Sequence, residues 1–485
     1  MSLSKNTAFT MTAAALQIGL TLVTLPMYLA VIGLDRYGVV VFIWLVFEYL
    51  LLFNLGLDRA TINFLSRYRD DPARATSHFW AAMAVCATTG ALAALFVYAC
   101  FPFVLSHLLS ISPALMAEMG HAFLALTALA LISIAGSILA ALLQAHERFF
   151  ELNLAQLAMS AAFQIAPLLA ATVWSARLET VIVVGAAARS LQTILYLAFC
   201  LRRKHRLGRP VFSSGDAKAM LRYGAWTSIS GVISPIVVNL DRILIGTLSG
   251  SAAVALYALP YNLVMKAQLI PTSLASAMFP RLSQGTDLRA RMATAEMALL
   301  SLAIVLSGGL IVGSFLLEPF LTVWIRQFVS RDAVLVGQFL ILGIWFNGLA
   351  IVPFVWLQAT GRPDRVAKIH MAELVPFVLL LWAMVANFGI VGAAIAWTLR
   401  VVADSAAMFY AAGISGSRLR RLAVPLGVVI GAVVFNCLPR RSAWEASGAG
   451  AVLLVLLLAW AWRNSPAAML APVHQFFRRF AWSPR

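Results

Sequence analysis

Four basic residues stand inside apolar runs of this chain: Arg189, Arg242, Lys266 and Arg400. Four acids, Glu48, Asp241, Glu373 and Asp404, share such runs or their edges. A charge at the centre of a bilayer costs about 3 kcal/mol or more, so each should face a cavity or a partner. Arg400 and Asp404 are four apart, on one helix face, and can neutralise each other. Asp241 and Arg242, in the octapeptide NLDRILIG from Asn239 to Gly246, are adjacent and point about 100° apart around a helix, so a direct pair is less natural there. Arg189 and Lys266 have no acid within a turn. The span interiors therefore carry at least as many positive as negative charges, which suits an anionic or pyrophosphate-bearing ligand better than an organic cation. Arg189, Arg242, Lys266 and Arg400 are the candidate binding residues, and the four acids would modulate them. The bland alternative for each is a structural ion pair or a side chain that snorkels to the surface.

Such residues need helices that cross a membrane. The 485 residues are 62% hydrophobic and 11% charged, with mean hydropathy +0.89. A soluble domain is nearer ~45–50% apolar, so the composition predicts an all-α polytopic membrane protein. The net charge of +17 comes mostly from short loops between apolar runs, where basic residues anchor to anionic lipid and not to nucleic acid. The four cysteines, Cys86, Cys100, Cys200 and Cys437, lie in or beside apolar runs without CxxC spacing and read as packing residues.

Runs able to cross about 30 Å of hydrocarbon number fourteen: Thr7 to Gly33, Gly38 to Leu57, Ser77 to Phe101, His121 to Gln144, Glu151 to Trp174, Leu178 to Leu201, Gly224 to Leu248, Ala252 to Ala277, Glu296 to Leu317, Ala333 to Gln358, Met371 to Phe388, Ile390 to Ala412, Leu422 to Leu438 and Ala446 to Trp462. The first run is too long for a signal-peptide core and reads as an uncleaved span. With the N-terminus cytoplasmic, the cytoplasmic segments hold 26 Lys and Arg, the opposite side 6, and four fall within spans. That bias predicts both termini in the cytoplasm. The tail from Pro472, PVHQFFRRFAWSPR, alternates aromatics and arginines as an interfacial amphipathic helix does.

The halves on either side of the basic segment Arg202 to Gly224 can be superposed by number. QAHER at Gln144 to Arg148 and QATGR at Gln358 to Arg362 are 214 positions apart, as are FLSR at Phe64 and MFPR at Met278, while Arg189 and Arg400 are 211 apart. The expected organisation is a six-helix bundle over 1–201, a basic linker over 202–223, a second six-helix bundle over 224–412, two additional spans within 413–463 and a tail over 464–485. Six is even, so the symmetry axis runs along the membrane normal, and a ligand cavity is expected between the halves. Prolines at 26, 167, 235, 260, 271, 353 and 376 fall within spans and permit kinks.

No phosphate-binding loop, HExxH or nucleophile elbow occurs, and the seven histidines are scattered, so neither an enzyme nor a resident metal or cofactor is expected. Energy must then come from a gradient, with proton and sodium coupling both open, or from consumption of the product.

The stretch NLDRILIGTLSGSAAVALYALPYNLVMKAQLIPTSLASAMFPRLSQ, with LQATGRPDRVAKIHMAELVPF and FGIVGAAIAWTLR farther on, resembles the polysaccharide transporters, the lipid-linked oligosaccharide flippases of the MOP superfamily. The carriers of the resemblance are Asp241 and Arg242, Tyr257 to Leu263, Phe279 to Ser283 and Phe388 to Arg400. It implies a V-shaped, MATE-like pair of six-helix bundles in a bacterial inner membrane. It also implies export of an undecaprenyl-pyrophosphate-linked oligosaccharide, of O-antigen, capsule or exopolysaccharide type, with cationic cavity residues holding the head group. Expected partners are this lipid-linked glycan, membrane lipids and a glycan polymerase or other assembly protein. Members often have twelve spans; fourteen is shared with lipid II flippases, which keeps the peptidoglycan precursor open as substrate. A cation-coupled multidrug exporter would instead need carboxylates facing the cavity, and a non-transporting scaffold for assembly enzymes needs no cavity.

Overall fold

The computed structural model describes residues 3–464 apart from 69, 110, 203–212, 285–287, 415 and 439–441. The expected interfacial tail and most of the basic linker lie outside the described residues, among which no strand occurs. Among the described residues, ten helices are long and apolar enough to cross a membrane. Three of them, Leu16–Asn54, Asn239–Ala275 and Pro363–Ala412, consist of two arms joined at a glycine with positive φ: 78° at Gly33, 82° at Gly250 and 55° at Gly389. A β-carbon at these glycines would touch nothing, so the backbone angle alone demands glycine. With both arms counted and the shorter apolar helix Ala423–Cys437 added, the fourteen expected spans are present.

Local chemistry sets the helix ends. Asp71 and Ser112 each precede a proline at the first helical position, and their side chains accept from the backbone N–H of Arg74 (3.1 Å) and Leu115 (3.3 Å). The repeated motifs end their helices alike. Glu147 and Gly361 both take positive φ, 58° and 73°. Arg148 N donates to Leu143 O (2.9 Å) and Arg362 N to Leu357 O (2.8 Å). The match at 214 positions is therefore a match of backbone geometry, which glycine adopts freely and glutamate at a cost of about 1 kcal/mol.

The chain packs as two compact units, Met1–Ala255 and Leu256–Arg485. Compactness thus divides the chain after the seventh span, whereas the repeat divides it at the basic linker. In the first unit the fourth span, Ala122–Ala145, is apolar on every face and is packed between the third and sixth. At one end of this unit Arg36 donates through Nε to Glu118 Oε2 (2.8 Å), which also accepts from Leu178 N (3.2 Å). The Arg36 hydrogen bond, aided by that of Leu178, holds the Glu118 carboxyl below the ordinary carboxylate range.

In the second unit the tenth span, Arg331–Ala359, lies against the eleventh and twelfth so closely that a β-carbon on Gly343 would come within 2.3 Å of the Trp397 ring. The thirteenth span is tied in by a buried polar relay: Asn436 Nδ2 donates to Ser314 Oγ (2.8 Å), which donates to Gln338 Oε1 (2.6 Å). An amide left alone there would be costly, so these three groups fix the register of the added helices.

Candidate functional site

In the first unit, spans one, two, five, six and seven enclose a cavity of about 460 Å³. The first span presents Gln17, Thr21, Thr24 and Tyr28, which lie on one face at helical spacing. Opposite them the fifth span presents Gln156, Ser160, Phe163 and Gln164. The two ladders touch: Thr24 Oγ1 donates to Gln164 Oε1 (3.0 Å), Gln17 Nε2 to Ser160 Oγ (3.4 Å) and Tyr28 OH to Gln164 O (3.1 Å). These are neutral amides and hydroxyls, each able to exchange its partner for a ligand hydroxyl.

Among the described residues three charges line the same cavity, Arg189, Arg242 and Glu48. The Arg189 guanidinium lies 4.8 Å from the Trp44 ring and 4.7 Å from the Phe163 ring, and these rings meet edge to face at 5.0 Å. Gly185, one turn earlier, makes room for this cage, since a β-carbon there would stand 2.8 Å from the indole. Cation–π contact contributes about 0.5–2 kcal/mol and fixes the guanidinium plane without neutralising it. Glu48 is 3.9 Å away with a side chain 60% exposed, too far for a hydrogen bond, and Arg189 Nε is buried without a hydrogen-bond partner. Arg242 donates through Nη1 to Asn239 Oδ1 (3.4 Å). Asp241 is buried and accepts from the Arg242 backbone N–H (2.7 Å). With two guanidiniums and one carboxylate, the cavity is net cationic.

Arg400, Glu373 and Asp404 line a separate cavity of about 400 Å³ within the second unit, its other walls mainly apolar. The expected pair of Arg400 with Asp404 is not the one formed. Arg400 Nη2 donates to Glu373 Oε1 across the Gly389 break (3.1 Å), and Asp404 Oδ1 lies 3.6 Å from His370 Nε2. The eleventh and twelfth spans pack side by side, which brings Glu373 nearer than the residue four along. Lys266 stands exposed on the 3-10 turn Met265–Gln268 and lines neither cavity.

Charge marks the arginines in the sequence, whereas the neutral ladders, the Trp44–Phe163 cage and His370 carry no such mark. Polar residues recurring every three or four positions inside apolar spans, as at Gln17, Thr21 and Thr24, were the available sign.

The sequence profile of the polysaccharide biosynthesis protein family matches residues 3–286, more than half of the chain. The chain belongs to that family. Over 405 residues it is 27% identical to a Shigella flexneri protein described as an O-antigen transporter, covering 84% of this chain and 96% of that one. Among solved structures, the lipid II flippase MurJ in an inward closed conformation matches with TM-score 0.71 at 13% identity, over 94% of this chain and 99% of that chain. An inward-facing MATE-family multidrug transporter of the MOP superfamily matches with TM-score 0.69 at 13% identity, over 84% of this chain and 95% of that chain. This member of the polysaccharide biosynthesis protein family thus has the transporter fold that its sequence motifs imply.

Proposed function

We infer that the chain is a flippase that moves an undecaprenyl-pyrophosphate-linked oligosaccharide from the cytoplasmic to the periplasmic leaflet of a bacterial inner membrane. Both termini are cytoplasmic, as the excess of basic residues on that side implies. The observation that carries the reading is the first unit's cavity, where Arg189 and Arg242 against the single carboxylate of Glu48 adjoin ladders of neutral amides and hydroxyls. Guanidinium forks match phosphate oxygens two at a time, and each charge-assisted hydrogen bond contributes about 1.5–3 kcal/mol. Amides and hydroxyls suit sugar hydroxyls, and aromatic faces suit the apolar faces of sugar rings. Arg189 and Arg242 hold the pyrophosphate, the ladders hold the first sugars, and the polyprenyl chain stays in the bilayer. Arg400, already held by Glu373, is excused from that task. Movement follows alternating access, with no chemical step and no catalytic residue.

The exporter of organic cations is disfavoured because Glu48 shares its cavity with Arg189 and Arg242. The peptidoglycan precursor stays open as substrate through the fourteen spans, and rescue of a strain depleted of its lipid II flippase would select it. The main reading is tested in a deletion strain that accumulates lipid-linked glycan in the inner leaflet. The parent gene clears the accumulation and the Arg189→Ala gene does not; equal clearance by both would overturn the assignment of Arg189.

A further inference from the structure

The second unit carries a group of side chains that holding a pyrophosphate leaves unused. His370, Glu373 and Asp404 bring their ligand atoms within 4.8 Å of one another, with Arg400 against Glu373 at 3.1 Å. Asp404 is 9% exposed, and its Oδ1 and Glu373 Oε2 are buried without a hydrogen-bond partner. Two carboxylates and one guanidinium leave the group one negative charge in excess when His370 is neutral. A buried excess charge is costly, and one added proton removes it.

Charge enters this group from few directions. His370 and Arg400 act on Asp404, and Arg400, Asp404 and His370 act on Glu373. The tenth span, packed against both arms, meets them with Leu357, which lies with Val366 and Met408 in an apolar cluster. Lys368 and Asp364, nearer the helix start, are paired with each other at 3.3 Å, and Arg365 donates to Ala411 O. Exposure falls from 46% at the His370 side chain to 11% at Asp404 and 13% at Glu373, a graded path from the surface to the buried carboxylates. In the first unit the residue 214 positions before His370 is Gln156, which cannot take a proton.

We propose that His370, Glu373, Arg400 and Asp404 form a proton-binding site in the second unit, and that one proton taken up between His370 and Asp404 couples the transport cycle to the proton gradient. Uptake forms one N–H bond on the imidazole and brings the group to neutrality; release returns that proton to water and restores the excess charge. Histidine is the side chain whose ordinary titration falls near neutral pH, as a reversible carrier requires. Sodium fits less well, because a hard cation wants a cage of oxygens and Arg400 already occupies the Glu373 side of the group. The coupling half of the proposal rests on the flippase reading; the site itself does not.

Two measurements separate them. Without any substrate, the infrared difference spectrum of the purified protein between about pH 5 and pH 8 should contain imidazole bands that His370→Gln removes and Asp404→Asn alters. Spectra unchanged by both substitutions would overturn the site, whatever lipid is moved. In proteoliposomes holding a pH-sensitive dye, undecaprenyl-pyrophosphate-linked glycan should dissipate an imposed pH difference. His370→Gln and Asp404→Asn should lower that proton flux at least about tenfold while downhill movement of the glycan, which also reports folding, persists. Undiminished proton flux in these variants, or transport driven by a sodium gradient and not by a proton gradient, would overturn the coupling.

Discussion

Arg189 and Arg400 occupy matching places in the repeat, and each lies over a phenylalanine, Phe163 at 4.7 Å and Phe377 at 5.2 Å, which are themselves 214 positions apart. Their surroundings differ. Arg189 faces neutral amides and hydroxyls with an exposed glutamate at 3.9 Å. Arg400 is held at 3.1 Å by a glutamate whose side chain is 13% exposed. One copy of the motif keeps its charge available, and the other spends it inside the protein. The repeat presents the same cation twice with different neighbours: in the proposed function Arg189 receives an anion, and in the proton-binding site we propose Arg400 balances the buried carboxylates.

The largest test of this contrast is stability. Arg400→Ala strands buried carboxylates and should cost about 3–5 kcal/mol, whereas Arg189→Ala gives up its ring contacts and leaves only an exposed glutamate, and should cost about 0.5–2 kcal/mol. Thermal unfolding in detergent would measure both, and equal losses would break the comparison. Next in size, Arg189→Lys keeps the charge but loses the planar fork and its ring contacts. Export of lipid-linked glycan should fall about tenfold, a loss of about 1.4 kcal/mol. Gly185→Val, which must push Trp44 aside, should lower export several-fold and leave the second unit's response to pH unchanged in the infrared assay. The smallest effect concerns the end of the first unit. The native Glu118 carboxyl titrates below its unfolded value of about 4.3, so its pairing with Arg36 contributes stability above that value and loses it as pH falls through the native one. Arg36→Gln should therefore lower the unfolding temperature at pH 7, with the difference from the parent shrinking below about pH 4.

Most of the scaffold was legible in the residues because hydrophobic length and glycine placement act locally. The spans and the gaps between them follow from apolar runs, and QAHER and QATGR mark a repeat whose two helix ends share one backbone geometry. Partner choice was not legible. Arg400 meets Glu373, 27 residues away, because two helices folded back at Gly389 pack side by side, and spacing along one helix cannot reveal that. Glu48 comes within 3.9 Å of Arg189 from a span far away in sequence, which spacing along one helix cannot reveal either. The glutamine and threonine ladders were not legible either, because a neutral polar residue in a span costs less than a charge and stands out less.

In the proposed mechanism the first unit's cavity, and not the second's, receives the glycan-bearing pyrophosphate. A photo-crosslinking amino acid at Gln164, and separately at Leu380 in the second unit's cavity, tests it in membranes carrying radiolabelled lipid-linked glycan. Labelling from position 164 should exceed that from position 380 by at least about tenfold, the difference expected for roughly 1.4 kcal/mol of preference, and Arg189→Ala should abolish it. Equal labelling at both positions, or labelling at 164 that survives Arg189→Ala, would contradict this placement of the pyrophosphate.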